Sequence, residues 1–369
     1  MNQNNNLSTF SVSKEASNAI KGLLILLIVL GHNSILCGVW DGCATTDKRF
    51  IWQWLYTFHV YCFFLLPFMY NKQPYRKGNI GKNALRLLYP YVWVCLVCLL
   101  IILFVIGAPF NGLTNLLYAM TWGSDRLLEE NLGLNFSWFL PAMFSLLLLK
   151  DIYYSTNRYW KGFLLGIGVL LWVVVLVSGV KFSTLGIYVP FALVPAFRLL
   201  PVCLATLWIA ERIKNNAFWR AVVVVLFALT SFLYWWVLSA DIRFGRMLFY
   251  FVMPVLAFLT LLAIKDYLGK SRLLIALGKM SMQIYLYHVI IFNALLLVVK
   301  HFHCPPTIAD GVVVLLVTLV VSYVMSLLTT RVPWIKRLIY PEVKKKDEQS
   351  KTIKGDVPQI SNVTNWQRR

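Results

Sequence analysis

Apolar runs of roughly twenty residues, each closed by a short polar segment, succeed one another along most of the chain. A helix of about 20 apolar residues crosses roughly 30 Å of hydrocarbon. On that ruler about ten segments qualify. They are Ile20–Leu36, Ile51–Tyr70, Ala84–Ile106, Ser137–Ile152, Gly162–Gly179, Ile187–Ala210, Ala217–Leu238, Arg246–Ile264, Ile275–Val299 and Gly311–Thr330. The runs are apolar all round rather than along one stripe, which marks lipid as their solvent. The fourth is short, and the sixth is broken by Pro190, Pro195 and Pro201, residues tolerated where neighbours satisfy the freed carbonyls. The expected fold class is all-α: a polytopic transmembrane helical bundle of about ten membrane helices.

The polar segments divide the chain further. Residues 1–18 form a polar leader, 19–338 the membrane domain, and 339–369 a basic tail expected to be disordered. The leader is long and no small-x-small site follows the first run, so that run is read as a membrane helix and not a cleavable signal. Gly107–Phe136 is an outer loop with room for a short surface helix. Lys72, Arg76, Lys77 and Lys82, then Arg158 and Lys161, then Arg212 and Lys214, then Lys265, Lys270 and Arg272 occupy alternate connections. The tail adds Lys336, Arg337 and Lys344 to Lys346. The other connections hold most of the acids: Asp41, Asp47, Asp125, Glu129, Glu130, Asp241 and Asp310. With ten spans, the positive-inside rule places both termini in the cytoplasm.

Composition agrees. Hydrophobic residues make up 59% and charged residues 14%, far from a soluble domain's balance. The net charge of +20 comes from clusters between apolar runs and not from a basic stripe with interleaved aromatics, so nucleic acid is excluded as a partner. The seven cysteines are scattered. Cys95 and Cys98 fall inside an apolar run and read as buried small hydrophobes, whereas Cys37 and Cys43 face the outer side. His301 and His303, beside Cys304, lack the further ligand spacing of a metal site, and no metal is expected.

Ionisable residues inside a membrane helix cost about 2.5–3.5 kcal/mol on insertion scales, so each one demands a reason. His32 closes the first run, and Lys21 precedes it by three helical turns, roughly 16 Å along one face. His59 lies roughly 12 Å into the second run from its outer end, and His288 roughly 20 Å up the ninth. Three histidines from three helices therefore share one layer in the outer half of the membrane, more than isolated hydrogen-bonding histidines require. Arg86 opens the third run at the cytoplasmic face, where it either snorkels or binds an anion. Arg198 sits mid-helix and needs a polar cavity or an acid.

At these residues the sequence resembles the acyltransferase-3 superfamily of membrane-bound acyltransferases, most closely its fucose 4-O-acetylase-like branch. Lys21 to His32 fits a basic-x10-His motif. Phe58-His59 with Phe63-Phe64 is similar to the second-helix element, and Arg86-Leu-Leu-Tyr-Pro90 to the basic start of the third helix. Trp138-Phe-Leu-Pro141 resembles the start of the fourth, and Leu277 to His288 the late Gly-x-x-Ser-x-x-Ile-Tyr-x-x-His element. Pro67-Phe68 stands where family members often carry Ser-Gly.

The resemblance implies a multi-pass enzyme of the bacterial inner (plasma) membrane. It would move an acyl group, usually acetyl, from cytoplasmic acyl-CoA to a hydroxyl of a cell-surface glycan or lipid-linked sugar. Acetyl-CoA is then a co-substrate, with no permanently bound cofactor. The partners are the lipid bilayer, acyl-CoA and the saccharide acceptor. Acyl transfer to a hydroxyl needs a base, for which His is suited near neutral pH. His32 is the expected base or a transient acyl carrier, and both roles stay open. His59 or His288 would orient it or donate to the oxyanion. Lys21 and Arg86 are placed for the CoA phosphates, Arg198 for the thioester carbonyl, and Trp138 for a sugar ring. The alternative is a transporter or flippase for a sugar-lipid that uses the same polar cavity without covalent chemistry.

Overall fold

In the computed structural model of the 369-residue chain the described residues are 12–37, 46–70, 77–101, 103–104, 113–123, 127–128, 130, 136–178, 190–213, 216–240, 242–302 and 306–340. Most of the leader and of the tail, residues 107–112, 124–126, 129 and 131–135 of the outer loop, and Asp41, Cys43, Lys72, Arg76, Lys214, Asp241, His303 and Cys304 lie outside them. Among the described residues there is no strand.

The helices are α1 (Lys14–His32), α2 (Thr46–Tyr70), α3 (Lys77–Ile101), α4 (Leu113–Trp122), α5 (Phe139–Ser155), α6 (Arg158–Ser178) and α7 (Leu193–Arg212). Then follow α8 (Ala217–Ser239), α9 (Arg243–Ala263), α10 (Lys265–Leu268), α11 (Arg272–Lys279), α12 (Ser281–Phe302), α13 (Ile308–Arg331) and α14 (Pro333–Ile339). Seven of these elements are long and apolar enough to cross a bilayer. Of the expected runs, the fourth is only 17 residues long as α5 and carries the buried Lys150 and Asp151. The second carries Asp47, Lys48 and Arg49 in the first turn of α2.

Polar residues set the helix ends. The Ser13 hydroxyl accepts from the Ala16 amide at 3.1 Å and starts α1 well before the first all-apolar residue. Asn216 caps α8 by accepting from the Trp219 amide at 2.9 Å. Thr307 and Asp310 cap α13 reciprocally: the Asp310 carboxylate accepts from the Thr307 amide at 2.7 Å, and the Thr307 hydroxyl from the Asp310 amide at 3.3 Å. Hydropathy alone misses these polar first turns, which is why α2 and α3 also begin earlier than expected.

Large apolar side chains on α6, α8 and α13 face outward, among them Leu170, Leu229, Phe232 and Val320. So broad an exposed apolar belt is stable only in lipid. Inside, α1 packs against α2, α10, α11, α12 and α13, and α2 against α1, α5, α7, α8 and α9. The buried face of α13 is Gly311, Val314, Thr318, Ser322, Ser326 and Thr329, small residues one turn apart that admit close packing.

Two expected elements change form. The ninth run, read as one helix over Ile275–Val299, is split at Met280 into α11 and α12. The reason is a backbone contact: a Cβ on Gly278 would fall 1.7 Å from the Asn18 carbonyl oxygen, and one on Gly22 would fall 2.0 Å from that of Leu274. Packing of α11 onto α1 at that range fixes its direction, and the chain turns at Met280 to carry α12 along α1. The sixth run opens with a single 3-10 turn, Pro190–Ala192, in which Phe191 and Ala192 take φ of 55° and 51°. That left-handed pair is strained for residues with a Cβ. The Ser145 hydroxyl holds it by donating to the Phe191 carbonyl at 2.6 Å.

Gly278→Ala is expected to force α1 and α11 apart at a cost of about 1–3 kcal/mol, as overpacked cores do. Gly162→Ala, where a Cβ meets nothing within 4 Å, is the control expected to leave stability unchanged or slightly raised. Thermal melting of the two detergent-purified variants reads the difference.

Candidate active site

His32 is the last residue of α1, and Asn33 after it locks that end in place. The fully buried Asn33 donates through Nδ2 to the Gly311 carbonyl at 2.8 Å, and its Oδ1 accepts from the Leu36 amide at 3.0 Å. The end of α1 is thus tied to the start of α13. On α2, His59 lies against Gly31, where a Cβ would stand 3.4 Å from His59 Nε2. On α12, the His288 ring lies 5.1 Å from that of His32, centroid to centroid. Tyr56 links the third histidine, 6.2 Å from His32 and 4.9 Å from His59. The structure therefore brings His32, His59 and His288 into one cluster.

His59 and His288 are fully buried, and each spends one ring nitrogen on its own helix. His59 Nδ1 donates to the Leu55 carbonyl, and His288 Nδ1 to the Tyr285 carbonyl at 2.7 Å and the Ile284 carbonyl at 3.2 Å. Because a carbonyl only accepts, Nδ1 carries the hydrogen and Nε2 of the neutral ring is left as the acceptor. Both Nε2 atoms are buried, and neither has a hydrogen-bond partner among the described residues. Two oriented acceptors beside His32 form a constellation able to take up or share a proton.

One turn below the cluster a cavity of about 800 Å³ opens. Among the described residues, Lys21, Lys82, Arg86 and Lys150 line it, with Asp151 as the single acid. Arg86 lies within electrostatic range of both Lys21 and Lys150. Like charges gathered in one cleft favour a polyanionic ligand, with Arg able to grip phosphate through two N–H groups. Gln283 and Tyr340 complete the polar wall. Arg86 is exposed and lies nine residues inside α3, not at its opening as expected, because α3 begins at Lys77.

Two expected site residues stand elsewhere. Arg198 does not line this cavity. Its guanidinium sits 4.6 Å over the Trp172 ring, and the Trp172 indole N–H donates to the Arg198 carbonyl at 2.7 Å. Trp138, just before α5, is half-buried with its ring 6.2 Å from that of Phe64. Cys37, Cys95 and Cys98 are buried free thiols, and His301 is exposed against Phe302. No group of three metal-ligating side chains occurs among the described residues.

The sequence reading passed over Lys150 and Asp151. Both are buried, 3.9 Å apart, and the Lys150 ammonium lies 5.9 Å from the Phe68 ring centroid. Their signal was an adjacent basic and acidic residue within an otherwise apolar run, Leu-Leu-Leu-Leu-Lys-Asp-Ile. Tyr285, the tyrosine of the late Gly-x-x-Ser-x-x-Ile-Tyr-x-x-His element, carried no assigned role. Its hydroxyl donates to the Phe136 carbonyl, and its ring lies 5.7 Å from that of His288.

The helical bundle thus holds three histidines one turn from a basic cleft. The chain belongs to the acyltransferase-3 family: the family's acyltransferase-domain model matches residues 14–327, from the first residue of α1 into α13. No curated protein and no solved structure matches it. The protein is therefore a multi-pass membrane acyltransferase.

Lys150→Leu leaves the buried Asp151 carboxylate without its neighbouring cation and is expected to cost about 3–5 kcal/mol. The double variant Lys150→Leu/Asp151→Leu is expected to recover most of that loss. Denaturation midpoints of the three proteins in one detergent test this.

Proposed function

We propose that the protein is an O-acyltransferase that takes an acyl group, in the first instance acetyl, from cytoplasmic acyl-CoA. It passes that group to a hydroxyl of a cell-surface glycan or lipid-linked saccharide. The observation that carries this reading is the stacking of the histidine cluster one turn above a cavity lined by four cations. The cavity volume of about 800 Å³ falls in the range that holds a large organic ligand. In this reading α1 spans from Lys21 at the inner face to His32 in the outer half, both termini are cytoplasmic, and the ten apolar runs each cross the bacterial inner membrane.

The chemistry follows from the geometry. Lys21, Arg86, Lys82 and Lys150 hold the phosphates of acyl-CoA, and the pantetheine arm runs upward between α1, α2, α5 and α12. The acceptor hydroxyl oxygen attacks the thioester carbonyl, its proton passes to the histidine cluster, the new C–O bond forms and the C–S bond breaks. The thiolate leaves with that proton as the free thiol of CoA. His32 acts as the base, and His59 and His288, each fixed through Nδ1, present Nε2 toward the reaction space. Trp138, near the outer end of α5, is assigned to the sugar and Arg198 to a supporting role through Trp172. A transporter for a sugar-lipid would use a polar cavity too, but membership in an acyltransferase family favours the enzyme.

His32→Ala is expected to lower transfer by about 10²–10⁴-fold with protein level unchanged, the usual worth of a positioned base. The measurement is ester groups per acceptor glycan by NMR from cells that produce it, with the protein quantified in parallel. Undiminished acylation would remove His32 from the mechanism. Arg86→Gln is expected to raise KM for acyl-CoA about tenfold with kcat little changed, since a phosphate contact at the inner face is remote from the reacting carbon. Steady-state release of free CoA thiol measures it.

A further inference from the structure

On all three histidine-bearing helices, the described residues that line the basic cavity lie to one side of the histidine. The nearest of them are Ile28 on α1, Phe63 on α2 and Tyr285 on α12. The opposite side of the cluster belongs to Trp52 and Tyr56. These two share one face of α2 with His59 and Phe63, since the four residues follow at helical spacings. The Tyr56 ring lies 4.9 Å from that of His59 and 6.2 Å from that of His32, and the Trp52 ring lies 4.9 Å beyond Tyr56. Trp52 therefore stands about two helical turns, roughly 10 Å, from His59 on the side away from the cations.

Two observations separate Trp52 from a residue that only packs the bundle. The first is the contrast with Trp54, on the opposite face of the same helix. Trp54 is committed to α8: its indole N–H donates to the Ser231 hydroxyl at 3.0 Å, and its ring lies 6.2 Å from that of Phe227. Among the described residues, the only ring that Trp52 meets is that of Tyr56. The second is access. His59 and His288 have no exposed surface, whereas His32, Tyr56 and Trp52 are each only half-buried. None of these three lines the basic cavity, so the surface they keep opens on their own side of the cluster. With the donor in the cavity, the acceptor has to meet the histidines from another direction. A pyranose ring presents a flat face of C–H groups, and such a face packs on an indole ring while the hydroxyls stay free to bond. We propose that Trp52 and Tyr56 form the acceptor subsite, with Trp52 as the platform for a pyranose ring and Tyr56 as the wall that turns its hydroxyl toward His32. This rests on the acyltransferase reading above and adds which residues hold the sugar.

The test is acceptor selectivity. Purified protein is given acetyl-CoA with a panel of methyl pyranosides or with 1-propanol, which has a hydroxyl but no ring, and kcat/KM is read from ester formation. The wild type is expected to favour the best pyranoside over propanol. Trp52→Ala is expected to lower the pyranoside-to-propanol ratio about tenfold, the worth of one aromatic contact, through the KM for the pyranoside and not through that for acetyl-CoA. Trp52→Phe keeps a ring and is expected to restore most of the loss. Trp54→Phe is the control: it forfeits the Ser231 bond and is expected to lower the melting temperature while leaving the ratio unchanged. The ratio is internal to each preparation, so a partly unfolded variant lowers both rates together and leaves it readable. Three results overturn the subsite and leave the acyltransferase reading standing: an unchanged ratio in Trp52→Ala, an equal rise in its KM for acetyl-CoA, or as large a fall in the ratio for Trp54→Phe. A wild type that transfers to neither the pyranosides nor propanol overturns both.

Discussion

The contact between α1 and α11 is the constraint on which the histidine cluster depends. Two glycines, Gly22 and Gly278, let the two helix backbones touch where any side chain would collide with a carbonyl oxygen. α11 is too short to span anything, and its work is to start α12 against α1. From there α12 runs beside α1 until His288 meets His32. Asn33 closes the far end through its side-chain amide on the Gly311 carbonyl, so α1 is held by a backbone contact toward one end and a buried side-chain hydrogen bond at the other. In a lipid setting, where apolar burial gives helices little reason to choose one another, such close approaches and buried hydrogen bonds set the geometry.

The polar groups inside the bundle are organised by the same economy. His59 and His288 use the carbonyl one turn back on their own helices to fix ring orientation, which needs no partner from a neighbour. That leaves one nitrogen of each ring directed away from its helix in a place where water would otherwise be demanded. Lys150 and Asp151 solve a related problem lower down, since two adjacent opposite charges on one helix can be buried together at less cost than either alone. The first arrangement lies in the histidine cluster and the second in the wall of the basic cleft.

Much of this was legible beforehand, for reasons that can be named. The apolar runs report the solvent of each helix, so most helix positions and the membrane class followed from hydropathy, and a fixed rise per residue put the three histidines at a common level. The motif from Lys21 to His32 and the one ending at His288 carried the family, which the match over residues 14–327 bears out. Polar first turns were not legible to hydropathy, which is why α1, α2 and α3 start early. The break at Met280 was invisible because both halves are apolar, and only the meeting of two distant glycines makes a turn necessary there. Arg198, a mid-helix cation, was read as needing a polar cavity or an acid. A one-dimensional depth estimate does not say which side of the bundle a helix occupies, and its guanidinium lies over Trp172 instead.

The sequence by itself determined what each residue would have to be dissolved in. Long apolar stretches require lipid, rare ionisable residues within them require a polar interior, and three histidines at one depth require a common layer. It could not determine which helices are neighbours, because in a bundle of similarly apolar helices many pairings bury similar surface. The tertiary structure decided that through a few contacts between residues far apart in the chain: Gly22 with Leu274, Gly278 with Asn18, and Asn33 with Gly311. Those contacts turn three histidines at one depth into three histidines in one place, and set them one turn above a cleft whose cations come from α1, α3 and α5.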